Sequence, residues 1–201
     1  MKLSILIPVI ITLSVIVLGI VFPKGTTSKA SDGATEHVIK QGESIWDIAK
    51  QYGVPIGKLK EVNHNVNNVA EPGKTLIIPH VMNEKDKELL ARLVHAEAKG
   101  EPYRGKVEVA GVVLNRLDSK EFPDTVREVI YQKNQFSPVG DGSINKPAGA
   151  DAKKAVNEAI AIHGYTNDAL YFWNPSISDS EWMKHLEVIK IIGGHHFAIS
   201  T

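Results

Sequence analysis

The sequence predicts an α+β protein: two modules behind an apolar N-terminal segment. Three observations carry that expectation. A strand, two helices and a second strand are compressed into residues 37–80. A series of helical periodicities then runs from Asn83 to about His163. The chain closes on strand-like stretches, the last two joined by Gly193-Gly194, which is the chemistry of a primed hairpin turn. The second module, residues 84–201, is therefore expected to be mainly helical with a small β-hairpin or sheet.

Composition narrows the function classes. The chain has 201 residues, enough for one or two domains with a proper core. It carries 23 basic and 23 acidic residues, so no electrostatic footprint points to nucleic acid. It has no cysteine, which excludes disulfides, thiolate metal sites and a cysteine nucleophile.

Met1-Lys2 precedes an almost uninterrupted apolar run over residues 3–22, closed by Pro23-Lys24-Gly25. A run of about 20 apolar residues matches a bilayer's hydrocarbon core. It reads as a retained membrane anchor or as a signal peptide cut near Ser28-Lys29-Ala30, and Lys29 inside that site tilts the reading to the anchor. Either way residues 1–24 are expected to export the rest of the chain to an extracytoplasmic location. Residues 25–36, rich in Thr, Ser, Gly and Ala, read as a flexible linker.

In the first module His37-Val38-Ile39-Lys40 reads as a strand and Gln41-Gly42 as a turn. Ser44 is the expected N-cap of a helix through Tyr52 that Gly53 stops. Pro55–Asn63 gives a second helix and Leu76–Pro79 a closing strand. The expected core is Ile45, Trp46, Ile48, Leu59 and Ile77. Val38, Gly42-Glu43-Ser44-Ile45-Trp46, Ile48-Ala49, Leu59, Asn63, Pro72-Gly73, Leu76 and Ile78-Pro79 together resemble a LysM domain. That resemblance implies binding of N-acetylglucosamine-containing glycans in a shallow groove. Its two sides would be Gly42, Glu43, Ser44 and Ile45, and the loop around Asn67 to Ala70.

The second module opens on a helix capped by Asn83, with Asp86 in its first turn. Leu90, Leu93 and Val94 form its apolar stripe, and the next position of that stripe is Glu97. A carboxyl on a core-facing surface loses hydration, and its pKa rises towards neutrality. That is how a glutamate becomes a general acid. A buried ion pair with Arg92 or another cation is the plainer alternative. Gly100 and Pro102 break the helix beside Glu101. Residues 105–118 are apolar around most of the circumference and predict a buried central helix. Arg116 near its end is expected to complement the helix dipole. A short capped helix follows over residues 123–130. Gln135 to Gly142 is a turn-rich loop that suits the wall of a sugar cleft or any surface loop. Ala148–His163 reads as a scaffold helix. In the strand-like run Ala169–Trp173, alternation sends Tyr171 and Trp173 to one face and Leu170 and Phe172 to the other.

Ala91-Arg92, Ala96-Glu97-Ala98, Gly100-Glu101-Pro102, the Gly105 to Asn115-Arg116 helix, Gln135-Phe136-Ser137, Tyr171-Phe172 with Asn174-Pro175, and Ile192-Gly193 with His195-His196-Phe197 are similar to the SleB type of bacterial cell-wall hydrolase. The resemblance implies a lysozyme-like fold with Glu97 as catalytic acid. Glu101, biased out of the helix before Pro102, is the secondary catalytic candidate, orienting Glu97 or capping the next helix. Gln135, Phe136, Ser137, Tyr171, Asn174 and His196 are the substrate-binding candidates. It also implies a lytic transglycosylase acting on GlcNAc/MurNAc strands of peptidoglycan, where one carboxyl suffices. A muramidase or glucosaminidase would need two. Typical cortex enzymes carry a different wall-binding domain, so the LysM module suits a general wall enzyme.

Two rivals are weighed beside it. A metal site built from His95, His185, His195 and His196 lacks the cysteines of a zinc deaminase, and the sequence has no His-Glu-x-x-His. A binding-only wall protein would have no use for a glutamate on an apolar stripe. The expectation is thus a monomeric enzyme without cofactor or metal.

Overall fold

The computed structural model describes residues 35–64, 66, 70–178 and 180–200. The expected anchor or signal segment and residues 25–34 of the expected linker lie outside these residues, whereas Thr35 and Glu36, expected as linker, open the first strand. Among the described residues no helix is long and apolar enough to cross a membrane.

Strand β1 (Thr35–Val38) pairs antiparallel with β2 (Thr75–Ile78), and between them lie α1 (Ile45–Tyr52) and α2 (Ile56–Val62). Ser44 caps α1 in a reciprocal box with Asp47, satisfying N–H groups that a helix start leaves unpaired. Ile45, Ile48 and Ala49 share one face of α1 and are buried with Leu59, Leu76 and Ile78. Two expected core residues are not in it. Trp46, one step round the helix from Ile45, is half-buried, with the Lys50 ammonium 5.7 Å from its ring centroid. Ile77 is 44% exposed because strand alternation turns Leu76 and Ile78 inward instead.

Helix α3 (Glu84–Glu97) starts on the Asn83 cap and α4 (Tyr103–Asp118) follows Pro102. Then come α5 (Val126–Tyr131), the single turn α6 (Ser137–Gly140) and α7 (Ala150–Ile162). Leu90, Leu93 and Val94 of α3 pack on Val109, Ala110 and Val113 of α4, all fully buried, with Ala155, Val156 and Ala159 of α7 completing the layer. Strand β3 (Tyr171–Trp173) lies beside β5 (His195–Ile199), which pairs on its other edge with β4 (Glu187–Ile192). All pairings are antiparallel, with Phe172 opposite Phe197 and an irregularity between Val188 and Lys190. The β4–β5 turn is Gly193-Gly194, with Gly193 at φ +57°.

The helix expected to be scaffold has a second duty. Ala161 of α7 is fully buried in the core of the first module. Asn157 Nδ2 donates to the Gln51 carbonyl at 3.1 Å and Lys87 Nζ to the Tyr52 carbonyl at 2.8 Å. The last carbonyls of α1, which a helix end leaves open, are thus satisfied by the second module. Gly53, at φ +59°, permits the approach, since a Cβ there would lie 2.5 Å from Asn157 Oδ1.

Candidate active site

Glu97 is the last residue of α3, and the chain turns away after it through Ala98 and Gly100, the latter at φ +89°. Its carboxyl therefore stands at a helix end beside a cleft of about 770 Å³. Burial pushes this carboxyl above the usual glutamate value, the Ser137 N–H and hydroxyl oppose the rise, and the charge of Asp141 adds to it. Ser137 Oγ lies 3.5 Å from Glu97 Oε1, at the outer limit of a hydrogen bond. Arg92 does not pair with Glu97. Its Nε donates to Glu88, one turn back on α3, at 3.1 Å.

The loop before α6 forms one wall. Gln135, Phe136 and Ser137 all line the cleft, and the Phe136 ring is buried against Phe172. Strand β3 adds Tyr171, Phe172 and Trp173 to the lining, continued by Asn174. The Tyr171 ring meets Trp182 edge-on at 5.1 Å and Phe122 at 6.1 Å. Asn174 Oδ1 accepts the Ser176 N–H at 2.9 Å, which shapes the turn after β3.

Three expectations change here. Arg116 does not serve the helix dipole but is a buried guanidinium in the cleft, 4% exposed. Its Nε donates to the Leu170 carbonyl at 2.8 Å and its Nη1 to Gln135 Oε1 at 3.0 Å. Phe122, Phe136 and Tyr171 surround it at 4.7, 5.2 and 5.7 Å from ring centroid to Cζ. Burial lowers its pKa to about 10, so it remains charged at neutral pH. Helical phase explains the miss: Arg116 follows Val109, Val112 and Val113 on the buried side of α4.

His196 rests against the Trp173 ring at 5.5 Å and does not line the cleft. Its neighbour His195, on the other face of β5, does. His195 is 6% exposed, and burial holds its pKa below the usual histidine value while Glu101 opposes the shift. Its Nδ1 is buried with no hydrogen-bond partner among the described residues. Glu101 itself is outside the cleft lining. Its Oε2 accepts the Gly194 N–H at 3.1 Å, tying the chain after α3 to the β4–β5 turn.

In the first module Ile45 and Ala70 line a hollow of about 380 Å³ together with Ile39, Asn63, His64, Lys74 and Leu76. Gly42, Glu43 and Ser44 do not line it. The Glu43 carboxylate accepts from His37 Nε2 and from the Lys40 N–H, each at 2.8 Å, and Ser44 is occupied as the α1 cap. Asn67 lies outside the described residues.

Comparison with known proteins places these features. The profile of the family described as Cell Wall Hydrolase matches residues 100–198, starting just after Glu97, and that of the LysM domain matches residues 37–79. The spore cortex-lytic enzyme of Bacillus cereus is 42% identical over 120 residues, covering 60% of this chain and 46% of that protein. That of Bacillus subtilis is 41% identical over 120 residues, or 60% and 39% of the two chains. The chain thus spans less than half the length of these relatives. The solved catalytic domain of the germination-specific lytic transglycosylase SleB from Bacillus anthracis is 41% identical with a TM-score of 0.57. The match covers 61% of this chain and all of that domain. With the whole of that domain matched at this identity, the protein belongs to the SleB type of bacterial cell-wall hydrolase and carries an N-terminal LysM domain.

Proposed function

We propose that the chain is a peptidoglycan-degrading lytic transglycosylase with Glu97 as its acid and base. The observation that carries this reading is a carboxyl with a raised pKa at the edge of an aromatic-walled cleft large enough for sugars. The Glu97 carboxyl gives its proton to the oxygen joining C1 of N-acetylmuramic acid to O4 of N-acetylglucosamine, and the C1–O bond breaks. The resulting carboxylate takes the proton of the muramoyl C6 hydroxyl. O6 then bonds to C1, giving a 1,6-anhydro end and restoring the acid. Ser137 steadies the carboxylate stage with its hydroxyl and N–H, and Gln135, Phe136, Tyr171 and Asn174 form the walls along which the strand lies. The LysM hollow, with Ile45 and Ala70 in its wall, holds N-acetylglucosamine units of the same polymer.

In this reading residues 1–24 export or tether the protein, 25–36 link, 37–80 bind glycan and 84–201 cut it, as a monomer facing the wall. Hydrolytic muramidase or glucosaminidase action is the second reading. It needs a partner carboxylate, and Glu121 lines the same cleft while Asp141 acts electrostatically on Glu97. Mass spectrometry of muropeptides released from purified sacculi by the full chain separates the two. Anhydromuramoyl ends are expected; reducing ends carrying one added water would establish hydrolysis. Binding of sacculi with no release would overturn catalysis altogether.

A further inference from the structure

Among the described residues Arg116 is a charge without a counter-charge. A guanidinium has five N–H donors, and the protein occupies two of them, through the Leu170 carbonyl and Gln135. Three remain. Among the described residues no carboxylate pairs with Arg116, although Glu97 and Glu121 line the same cleft. Phe122, Phe136 and Tyr171 surround the guanidinium, and such rings attract a cation without supplying the anion that would neutralise it. A buried charge is ordinarily paired, because desolvation otherwise goes uncompensated. Here the pairing site opens on the cleft.

We infer that Arg116 is a specificity-determining residue that receives a carboxylate of the substrate, carried by the muramoyl unit or its peptide stem. This rests on the peptidoglycan reading above. A planar fork suits a carboxylate, which can take two parallel N–H bonds. The same fork offers little to a strand of N-acetylglucosamine alone, whose neutral hydroxyls and amides cannot neutralise it. The Gln135 contact links this recognition to the wall that carries Ser137, so a seated carboxylate also orders the side of the cleft facing Glu97.

The test is binding to the full chain bearing Glu97→Gln, which prevents turnover. The probes are GlcNAc-MurNAc with a free lactyl carboxylate, its methyl ester, and GlcNAc-MurNAc carrying a stem tripeptide. Indole N–H resonances of Trp173 and Trp182, which line the cleft, report binding there; Trp46, which does not, reports the LysM domain. The acid or the stem form should bind about tenfold more tightly than the ester, as one charge-assisted fork implies. A preference for the free acid locates the carboxylate on the lactyl group, and a preference for the tripeptide locates it on the stem. That preference should vanish in Arg116→Gln and survive in part in Arg116→Lys. The Arg116 Nε–H resonance must also move with the preferred probe and not with the ester, a readout that needs no substitution at Arg116. Equal binding of all three probes, while the unsubstituted chain still cleaves sacculi, would overturn the inference alone. No cleft binding and no cleavage would overturn it together with the proposed function.

Discussion

Glu101 and the Gly193-Gly194 turn give the sharpest stability test. Gly193 has φ +57°, and a Cβ added there would stand 1.9 Å from Glu101 Oε2 and 2.8 Å from Pro102 Cδ. Gly193→Ala therefore combines two costs. A left-handed conformation costs an L-residue roughly 1–2 kcal/mol. Displacing the Glu101 carboxylate forfeits its bond to the Gly194 N–H, a charge-assisted contact of about 1–2 kcal/mol at this half-buried turn. The total is about 3 kcal/mol, or roughly 6–12 °C in Tm for a unit of this size. Glu101→Ala alone should cost about 1–2 kcal/mol, the value of the lost bond. In the double variant the carboxylate is gone, so the bond is lost only once. The double variant should then be about 1–2 kcal/mol more stable than the sum of the singles, measured by urea denaturation. Additivity within about 0.5 kcal/mol would refute the contact as drawn. Glu101→Gln keeps an acceptor oxygen and should retain kcat within about threefold, since Glu101 lies outside the cleft. A hundredfold loss with an unchanged Tm would instead place Glu101 in the chemistry.

Glu97→Gln should lower sacculus cleavage by about 10²–10⁴-fold, the range for a general acid–base group, while leaving sacculus binding intact; muropeptide release per hour measures it. The same variant should be more stable than the parent at neutral pH. Burial raises the folded-state pKa of Glu97, so the folded chain holds this proton longer than the unfolded chain, and stability is lost as pH rises through that pKa. Equal denaturation midpoints at pH 4 and 8 in both proteins would contradict this. The proton donor must be protonated, so cleavage should fall on the alkaline side as Glu97 ionises. Ser137→Ala, which removes a group that holds the pKa down, should move that limb to higher pH in the kcat profile. Gly53→Ala, at φ +59° and 2.5 Å from Asn157 Oδ1, should cost about 2 kcal/mol or more, partly recovered by Asn157→Gly. Calorimetry reads both.

Local chemistry made much of this legible in the sequence. Ser44 and Asn83 sit at helix starts because their side-chain oxygens accept N–H groups of the first turn, and each caps as such residues do. Glu97 stood out because a carboxyl interrupted an aliphatic stripe, and periodicity registers such an interruption. Arg116 and His195 were missed for a common reason. Each sits next to a residue that a pattern favours, and a side chain's direction depends on helical phase or strand register that only pairing across the fold decides. His195 and His196 are equivalent as text and opposite in space. Trp46 failed from the other side: hydrophobicity argued for burial, but the face of α1 that packs was already filled by Ile45, Ile48 and Ala49. The packing of α7 on the first module left no mark in composition, since Ala161 in that core looks like any alanine of a scaffold helix.

That junction changes what the LysM module can contribute. A module on a slack tether raises the local concentration of its partner and leaves direction to chance, with the orientational entropy lost afresh at every encounter. Here Ala161 is part of the neighbour's interior and two side chains close the end of α1. The orientation is therefore settled once, when the protein folds. A glycan strand gripped in the hollow near Ala70 would approach the glutamate along one fixed heading, more like paper fed through a guide than bait on a line.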